Sequence, residues 1–262
     1  MSRNISENPE DVSPHAAPLT IHPSTPMNLI PITHNLWITS QPLRFLGLEV
    51  GTRMTIVCLS NGDLVLLSPI SLRASDRPIL DELGTVRHII APNLFHHLFV
   101  NQAQALYPEA KVWGVEGLTE KRPDLKLDAL LNQTGTFADE LDYLPFEGFE
   151  AILPRGIVQA NETVFHHRPS HTLILADIAF NFDQSSSLGT QLAARIIGSY
   201  SSLKPSLLEK WGTRDKDKVA TSIRQVLTWD FDRVIPAHGS IVATNGKAQL
   251  KAGYEWFLDR KL

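Results

Sequence analysis

Four residues with metal-binding side chains stand at or shortly after the end of short apolar runs. They are His96, His97, Asp177 and His238. Imidazole and carboxylate groups are ligands that zinc, iron and manganese accept, and a bound divalent ion lowers the pKa of a water molecule for hydrolysis. Each residue also has an ordinary structural interpretation, because adjacent histidines can begin a helix, an aspartate can cap one and a histidine before a glycine can form a turn. The pattern therefore predicts a candidate metal site and leaves these alternatives open.

The elements that must position these side chains are short apolar strands. In layered α/β proteins, functional sites form outside the carboxyl ends of the strands, where a rigid scaffold presents its loops. Asn93 follows such a run and is predicted to be the N-cap of a helix whose first turn contains His96 and His97. The positive end of that helix would keep both imidazoles neutral and able to bind a metal ion.

The composition is that of a protein with a large apolar core. The chain has 262 residues, of which 43% are hydrophobic, enough for one large domain or two small ones. Its net charge of -4 argues against nucleic acid and anionic membranes as partners. The single cysteine, Cys58, excludes an intramolecular disulfide and a cysteine-rich metal site. Without a run of membrane-spanning length or a secretory signal pattern, the expected location is the cytoplasm.

The order of the apolar and polar segments predicts one folded domain after a tail. Residues 1–26 are rich in Ser, Pro, Asn and Glu and predict a disordered tail, so the domain is expected to span residues 27–262. Two apolar runs, Met54–Ser60 and Asp63–Ser68, meet at Asn61-Gly62, which predicts a hairpin with a type I′ turn.

Strands and helices are predicted to alternate after this hairpin. The predicted strands cover residues 86–91, 111–115, 163–167, 171–178 and 233–236, and the predicted helices cover 75–83, 187–199, 205–211, 214–229 and 247–258 in addition to the one after Asn93. The stretch 123–161 has no pattern that favours either. The alternation predicts α/β layers.

These segments, in this order, resemble the metallo-β-lactamase-like superfamily, and more narrowly a branch of unknown function with degenerate metal motifs. Val234-Ile-Pro-Ala-His-Gly239 is similar to the superfamily's last motif, Pro-Gly-His-Gly, and Leu175-Ala-Asp177 to a strand end that usually reads Thr-Gly-Asp. The resemblance runs from about residue 28 to the C-terminus. It implies a four-layer αβ/βα sandwich with a metal site along one edge of two facing sheets.

The departures from the superfamily pattern concern the metal ligands. Its main motif, Thr-His-x-His-x-Asp-His, corresponds here to Ala91-Pro-Asn-Leu-Phe-His-His97. Pro92 and Leu94 therefore replace its first two histidines, and His96 replaces its aspartate. Ser68 stands where an earlier strand-end aspartate is usual, and the isolated histidine expected near Ile157 is absent.

The resemblance implies that the ligands of one of two metal positions are lost and those of the other survive. We expect one divalent ion, zinc or iron or manganese, held by His96, His97, Asp177 and His238. Four protein ligands would saturate a tetrahedral zinc ion and make it structural, so chemistry would favour iron or manganese with a larger coordination number. Ser68, Asn93 and His167 are candidates for contacts to the ligands or to a substrate.

Two functions are compatible with this pattern. The first is a metal-dependent hydrolase that acts on a small-molecule ester, thioester or phosphodiester. The second is a non-catalytic protein that keeps the fold as a binding or structural module, because the fold alone does not determine function. A serine hydrolase is disfavoured by the absence of a Gly-x-Ser-x-Gly motif. The sequence leaves substrate and oligomeric state open.

Overall fold

Residues 27–154 and 156–262 are described by the computed structural model, so the tail predicted for residues 1–26 lies outside them. The strands are β1 Ile30–Thr33, β2 Leu36–Gln41, β3 Arg44–Phe45, β4 Leu48–Glu49, β5 Thr52–Cys58, β6 Asp63–Leu67, β7 Thr85–Ile90, β8 Lys111–Gly114, β9 Ala129–Leu130, β10 Gly135–Phe137, β11 Leu141–Phe146, β12 Glu150–Leu153, β13 Gly156–Gln159, β14 Glu162–His167, β15 Thr172–Leu175 and β16 Arg233–Pro236. The helices are α1 Arg77–Asp81, α2 Val100–Leu106, α3 Leu118–Lys121, α4 Leu188–Ile196, α5 Leu207–Gly212, α6 Lys216–Val226 and α7 Gly246–Leu258.

Two sheets contain most of the strands. The first has the order β1-β2-β5-β6-β7-β8-β9, and the second has the order β10-β11-β14-β15-β16. The pairs β3-β4 and β12-β13 form separate two-stranded sheets. No helix in the described part of the chain is long and apolar enough to cross a membrane.

Alternation along the strands sorts the apolar side chains into layers. Successive side chains of a strand point to opposite faces, so in β6 Leu64 and Leu66 join a cluster with the outer helices while Val65 and Leu67 face the other sheet. The second sheet does the same: Leu173 packs with α6 and α7, and neighbouring residues of β14 and β15 enter the cluster between the sheets. The result is the predicted succession of helices, sheet, sheet and helices.

Most predicted elements lie within a few residues of the observed ones. The hairpin of β5 and β6 is present and antiparallel, but its loop is not a type I′ turn. Gly62 has a φ of 83°, whereas Asn61 is not among the described residues with positive φ, and a type I′ turn needs both. The loop instead spans residues 59–62, closed by a hydrogen bond from the N–H of Gly62 to the carbonyl of Leu59.

Two predictions about local structure are wrong. His96 and His97 do not lie in the first turn of a helix, because residues 93–95 form a bend, residues 96–99 form a turn and α2 begins only at Val100. The N-cap of α2 is Phe99 rather than Asn93, whose side chain caps the preceding turn instead. The stretch without an assignable pattern, residues 123–161, contains the short strands β9 to β13, of which β10 pairs with β11 and β12 with β13, while β11 also pairs with β14.

Candidate metal centre

Three side chains from distant parts of the chain converge on one point. His96, Asp177 and His238 each offer a ligand atom, and the three atoms lie within 4.8 Å of one another. The Nε2 atoms of the two histidines are 3.1 Å apart. Asp177 lies beside both, with Oδ2 3.4 Å from Nε2 of His96 and Oδ1 3.2 Å from Nε2 of His238. This cluster is the candidate metal centre.

The register of the second sheet explains why Asp177 meets His238. Strands β15 and β16 are parallel, and Leu175 is paired with Pro236 at their carboxyl ends. Asp177 and His238 each follow two residues later, so they leave the sheet at the same edge and the same level. His96 reaches this edge from the turn that follows β7 of the other sheet. The centre therefore bridges the two sheets, where sites of layered α/β proteins form.

The ring of His238 is oriented by a backbone group. Its Nδ1 lies 2.7 Å from the carbonyl oxygen of Gly51. A carbonyl only accepts hydrogen bonds, so Nδ1 carries the proton and, in the neutral ring, Nε2 presents its lone pair to the cluster. Gly239 has a φ of 81°, and a Cβ there would lie 2.4 Å from the carbonyl oxygen of Asn181. The turn that presents His238 thus requires glycine after it.

Asn93 connects two of the three candidate ligands. Its Oδ1 accepts hydrogen bonds from the backbone N–H groups of Phe95 and His96, each at 2.8 Å. Its Nδ2 donates to Oδ2 of Asp177 at 2.8 Å and to Oε2 of Glu162 at 3.0 Å. All four contacts are satisfied only when the amide oxygen faces the N–H donors and the amide nitrogen faces the carboxylates. One buried side chain therefore fixes both the turn of His96 and the carboxylate of Asp177.

Glu162 is a part of the site that sequence analysis missed. It is 1% exposed, and its carboxylate accepts hydrogen bonds from the N–H groups of Ala176 at 2.7 Å and Asp177 at 2.6 Å. Burial, and then the negative charge of Asp177, raises the pKa of Glu162 to about 8. The only signal in the sequence was an acidic residue at the start of an apolar strand.

The neighbours of Asp177 favour its ionised form. Burial by itself would raise the pKa of this carboxyl. The neighbouring imidazoles of His96 and His238 outweigh burial and hold the pKa below its ordinary value. An ionised carboxylate beside two imidazoles is the protonation state that a divalent ion requires.

His97 points away from the cluster. Its Nδ1 lies 2.8 Å from Nη1 of Arg122, which can only donate, so the Nδ1 lone pair is engaged there. Burial, together with the positive charges of Lys121 and Arg122, lowers the pKa of His97 to about 4. The imidazole is therefore neutral, buried and bonded to arginine, and the structure does not bring it together with the other three predicted ligands.

Two further predicted residues also lie apart from the cluster. Ser68 is buried after β6, and its backbone N–H donates to the carbonyl of Ile90. Among the described residues, no hydrogen bond links its hydroxyl to the candidate ligands. His167 lies at the opposite end of β14, where its Nδ1 is 2.7 Å from Oγ of Ser170.

The chemistry of the three clustered groups fits a divalent ion. Two imidazoles and one carboxylate are a ligand set that zinc, iron and manganese accept, and three protein ligands leave a coordination position for water or substrate. The side chains of His96, Asp177 and His238 are 7%, 16% and 10% exposed, so the position is largely shielded and Asp177 is the most exposed of the three.

Comparisons with known proteins are consistent with this architecture. The sequence profile of the domain of unknown function DUF4336 matches residues 33–195. No curated protein matches the chain. Among solved structures, the metallo-β-lactamase from Hirschia baltica has a TM-score of 0.60 at 12% identity, covering 89% of this chain and 98% of its own.

Two other similar structures are a mono-zinc form and a metal-soaked form of their proteins. The mono-zinc form of metallo-β-lactamase FIM-1 from Pseudomonas aeruginosa has a TM-score of 0.57 at 11% identity, covering 90% of this chain and 94% of its own. The metal-soaked Flv1 flavodiiron core from Synechocystis sp. PCC6803 has a TM-score of 0.59 at 12% identity, covering 90% and 62%. These likenesses confirm the predicted α/β fold of the metallo-β-lactamase type.

Proposed function

The chain belongs to the DUF4336 family, and from the geometry of its candidate metal centre we propose that it is a metal-dependent hydrolase with one divalent ion. The ion would be held by His96, Asp177 and His238. The observation that carries the proposal is the convergence of three ligand atoms within 4.8 Å, delivered by three separate elements. Among the described residues, this is the one group of three or more potential ligands with that spacing.

The surroundings of Asp177 support a single ion. The Asn93 amide, a neutral donor, lies 2.8 Å from Oδ2 of Asp177 and occupies the side of this carboxylate away from His238. Pro92 and Leu94 stand where the resemblance would place two more metal ligands. In the structure, Pro92 makes a backbone hydrogen bond and Leu94 packs in an apolar cluster. The carbonyl of Pro92 accepts a hydrogen bond from the N–H of Thr163, and Leu94 packs against the apolar cluster between the first sheet and its outer helices. We therefore propose that the chain belongs to a branch of this fold that has lost one of the two metal positions.

Structures of this fold with a single metal ion also support the proposal. FIM-1 is described in a mono-zinc form, so at least one metallo-β-lactamase of this architecture holds one zinc ion. With three protein ligands rather than four, zinc keeps an open position, and the expectation that a zinc site must be structural no longer follows. Zinc, iron and manganese all remain compatible with the ligand set.

The proposed reaction is hydrolysis of a small-molecule ester, thioester or phosphodiester. When bound, a divalent ion supplies a Lewis acid that lowers the pKa of a water molecule and polarises the scissile group. The residues of the chain hold that position: the Gly51 carbonyl fixes the tautomer of His238, and Asn93 fixes Asp177 relative to His96. Burial of the ligands excludes bulk water and strengthens their electrostatic effect.

A metal centre that only stabilises the fold is the second candidate. It is favoured by the low exposure of the ligand side chains, none of which exceeds 16%. The two candidates differ in one measurable property: a structural ion raises the unfolding temperature without turnover, whereas a catalytic ion also supports turnover.

The experiment combines metal analysis with hydrolysis assays. The full-length protein is purified without chelator, its metal content is measured by mass spectrometry, and the chelated form is reloaded with Zn²⁺, Fe²⁺ or Mn²⁺. Each form is assayed on an aryl ester, an aryl phosphodiester and an acyl thioester. Asp177→Asn should lose both metal and activity, whereas Asp142→Asn, a buried aspartate at the other end of the sheet, should keep both. Turnover that is equal with and without metal would overturn the proposal.

A further inference from the structure

Glu162 is a buried carboxylate whose hydrogen-bond partners are all neutral. It accepts from two backbone N–H groups, of Ala176 and Asp177, and from the amide of Asn93. No arginine, lysine or histidine is among these partners. A buried carboxylate without a cation is costly to keep, so its presence here points to a role beyond filling space.

The position of Glu162 in the sheet places it behind the metal ligand. Strand β14 is antiparallel to β15, so the first residue of β14 lies at the end of the sheet where β15 stops. Glu162 holds the N–H groups of Ala176 and Asp177 on its two carboxylate oxygens, Oε1 at 2.7 Å and Oε2 at 2.6 Å. Two adjacent N–H groups fixed by one carboxylate leave the backbone of Asp177 little freedom to rotate.

Asn93 extends this constraint to the side chains of the site. One amide nitrogen bridges Glu162 and Asp177, and the amide oxygen holds the backbone turn that carries His96. The chain of contacts therefore runs from Glu162 to Asn93 and from Asn93 to two of the three candidate ligands. These contacts form a ring, because Glu162 also accepts a hydrogen bond from the backbone N–H of Asp177.

We propose that Glu162 is a positioning residue of the metal centre, holding Asp177 directly and His96 through Asn93 in the arrangement that binds the ion. This inference rests on the proposed metal-dependent function. Partners that orient metal ligands typically contribute tenfold to hundredfold to metal affinity. Glu162 is linked to Asp177 in two ways. It accepts a hydrogen bond from the backbone N–H of Asp177, and the amide of Asn93 donates to the carboxylates of both residues.

Glu162→Gln distinguishes the positioning role of Glu162 from the space that its side chain fills. A glutamine side chain has the same shape, but one of its two ends is a donor, so it cannot accept from N–H groups on both sides. At least one contact, to Ala176 or to Asp177 and Asn93, is lost. Asn93→Ala removes the bridge from the other side and leaves Glu162 in place.

Glu150→Gln is the matched control. Glu150 is also buried, at 4% exposure, and its carboxylate also accepts a backbone N–H, from Arg214. Its other partner is the Arg214 guanidinium, and it contacts none of the three candidate ligands. A general effect of removing a buried carboxylate should therefore appear in Glu150→Gln to the same extent as in Glu162→Gln.

The experiment measures the affinity of the full-length, chelated protein for Zn²⁺ by competition with a chromogenic chelator, and the visible absorption spectrum of the Co²⁺ form. We expect Glu162→Gln and Asn93→Ala each to weaken Zn²⁺ binding by about tenfold to hundredfold and to shift the Co²⁺ bands. The double variant should lose less than the product of the two single effects, because both break one network. Glu150→Gln should match wild type in affinity and spectrum.

The outcomes separate this inference from the proposed function. Wild-type affinity and spectrum in Glu162→Gln would overturn the positioning role while leaving the metal centre intact. A wild-type protein that binds no Zn²⁺ or Co²⁺ would overturn both proposals. Metal binding without hydrolysis would overturn the proposed hydrolase activity. The Zn²⁺ affinities of the variants would then still decide whether Glu162 positions the ligands. If Glu162→Gln does not fold, unchanged affinity in Asn93→Ala overturns the inference by itself.

Discussion

Histidines and carboxylates lie together near both ends of strand β14, but their contacts differ between the two ends. At its first residue, Glu162 lies behind the cluster of His96, Asp177 and His238. At its other end, about 17 Å away for a six-residue strand, His166 lies near Asp142, Asp230 and Arg168, and His167 contacts Ser170. Both ends combine histidines with carboxylates, yet only the first end brings three ligand atoms within coordination distance among the described residues.

The difference lies in what the carboxylates contact. Both carboxylate oxygens of Asp142 accept hydrogen bonds from the Arg168 guanidinium, from Nε and Nη2 at 2.6 Å each, which neutralises its charge. His166 donates its Nε2 proton to the carbonyl of Asp230, and its Nδ1 is 3.6 Å from Asp142 without a hydrogen bond. At the other end, neutral amides rather than a guanidinium contact Asp177 and Glu162. We therefore expect metal binding at the first end, where no arginine in the described part of the chain already binds the carboxylates.

The largest expected effect tests this contrast directly. His238→Ala removes one of three ligands and should abolish stoichiometric metal, because the remaining two groups bind a divalent ion weakly. His166→Ala, which removes another buried histidine at the other end of β14, should retain full metal content. Metal analysis by mass spectrometry, with both proteins purified without chelator, checks the pair. Equal metal content in the two variants would remove the distinction between the ends.

The second prediction sharpens the assignment between adjacent histidines. His97→Ala should keep one metal ion per chain, since the ring contacts Arg122 and not the cluster, but should lower stability by about 1–3 kcal/mol through loss of a buried side chain. His96→Ala should lose the metal. Urea unfolding and metal analysis on both variants provide the measurements. Loss of metal in His97→Ala would contradict this assignment and support the four-ligand centre expected from the sequence.

The third prediction concerns the pH dependence at the far end of β14. Burial lowers the pKa of His167 from 6.5 to about 4, with a further lowering by His166 and an opposing effect of Glu140. Between these values the unfolded chain binds more protons than the folded one, so the free energy of unfolding falls as pH drops from about 6.5 to about 4.

The variant His167→Gln isolates this contribution. It cannot titrate, so its stability should decrease less steeply with falling pH than that of wild type over the same range. Urea unfolding at several pH values between 4 and 7.5, on chelated protein, gives the two slopes. Parallel slopes would mean that His167 is not held neutral by burial.

The smallest expected effect is at the ion pair of the far end. Arg168→Gln frees Asp142, yet metal affinity at the candidate centre should stay within about twofold of wild type, because sites this far apart usually couple by less than about 0.5 kcal/mol. Zn²⁺ competition titrations measure it. A large loss of affinity would show that the two ends of the second sheet are coupled.

The sequence by itself determined the layered fold and two of the clustered residues. Period-two alternation in the strands sorted side chains into layers, and this pattern is local. Asp177 and His238 were predicted because each directly follows an apolar run, and parallel strands deliver such residues to one edge. His96 was also named, but only as one of an adjacent pair that the sequence treated alike.

Only the tertiary structure decided which histidine of that pair faces the cluster and what lies behind it. His97 is engaged by Arg122, which is 25 residues away in sequence, and Asn93 is engaged by Glu162, which is 69 residues away. No local pattern encodes such contacts, because they depend on how two sheets face each other. For the same reason the sequence predicted a helix start at Asn93, where the folded chain uses the same amide to join a turn to two carboxylates.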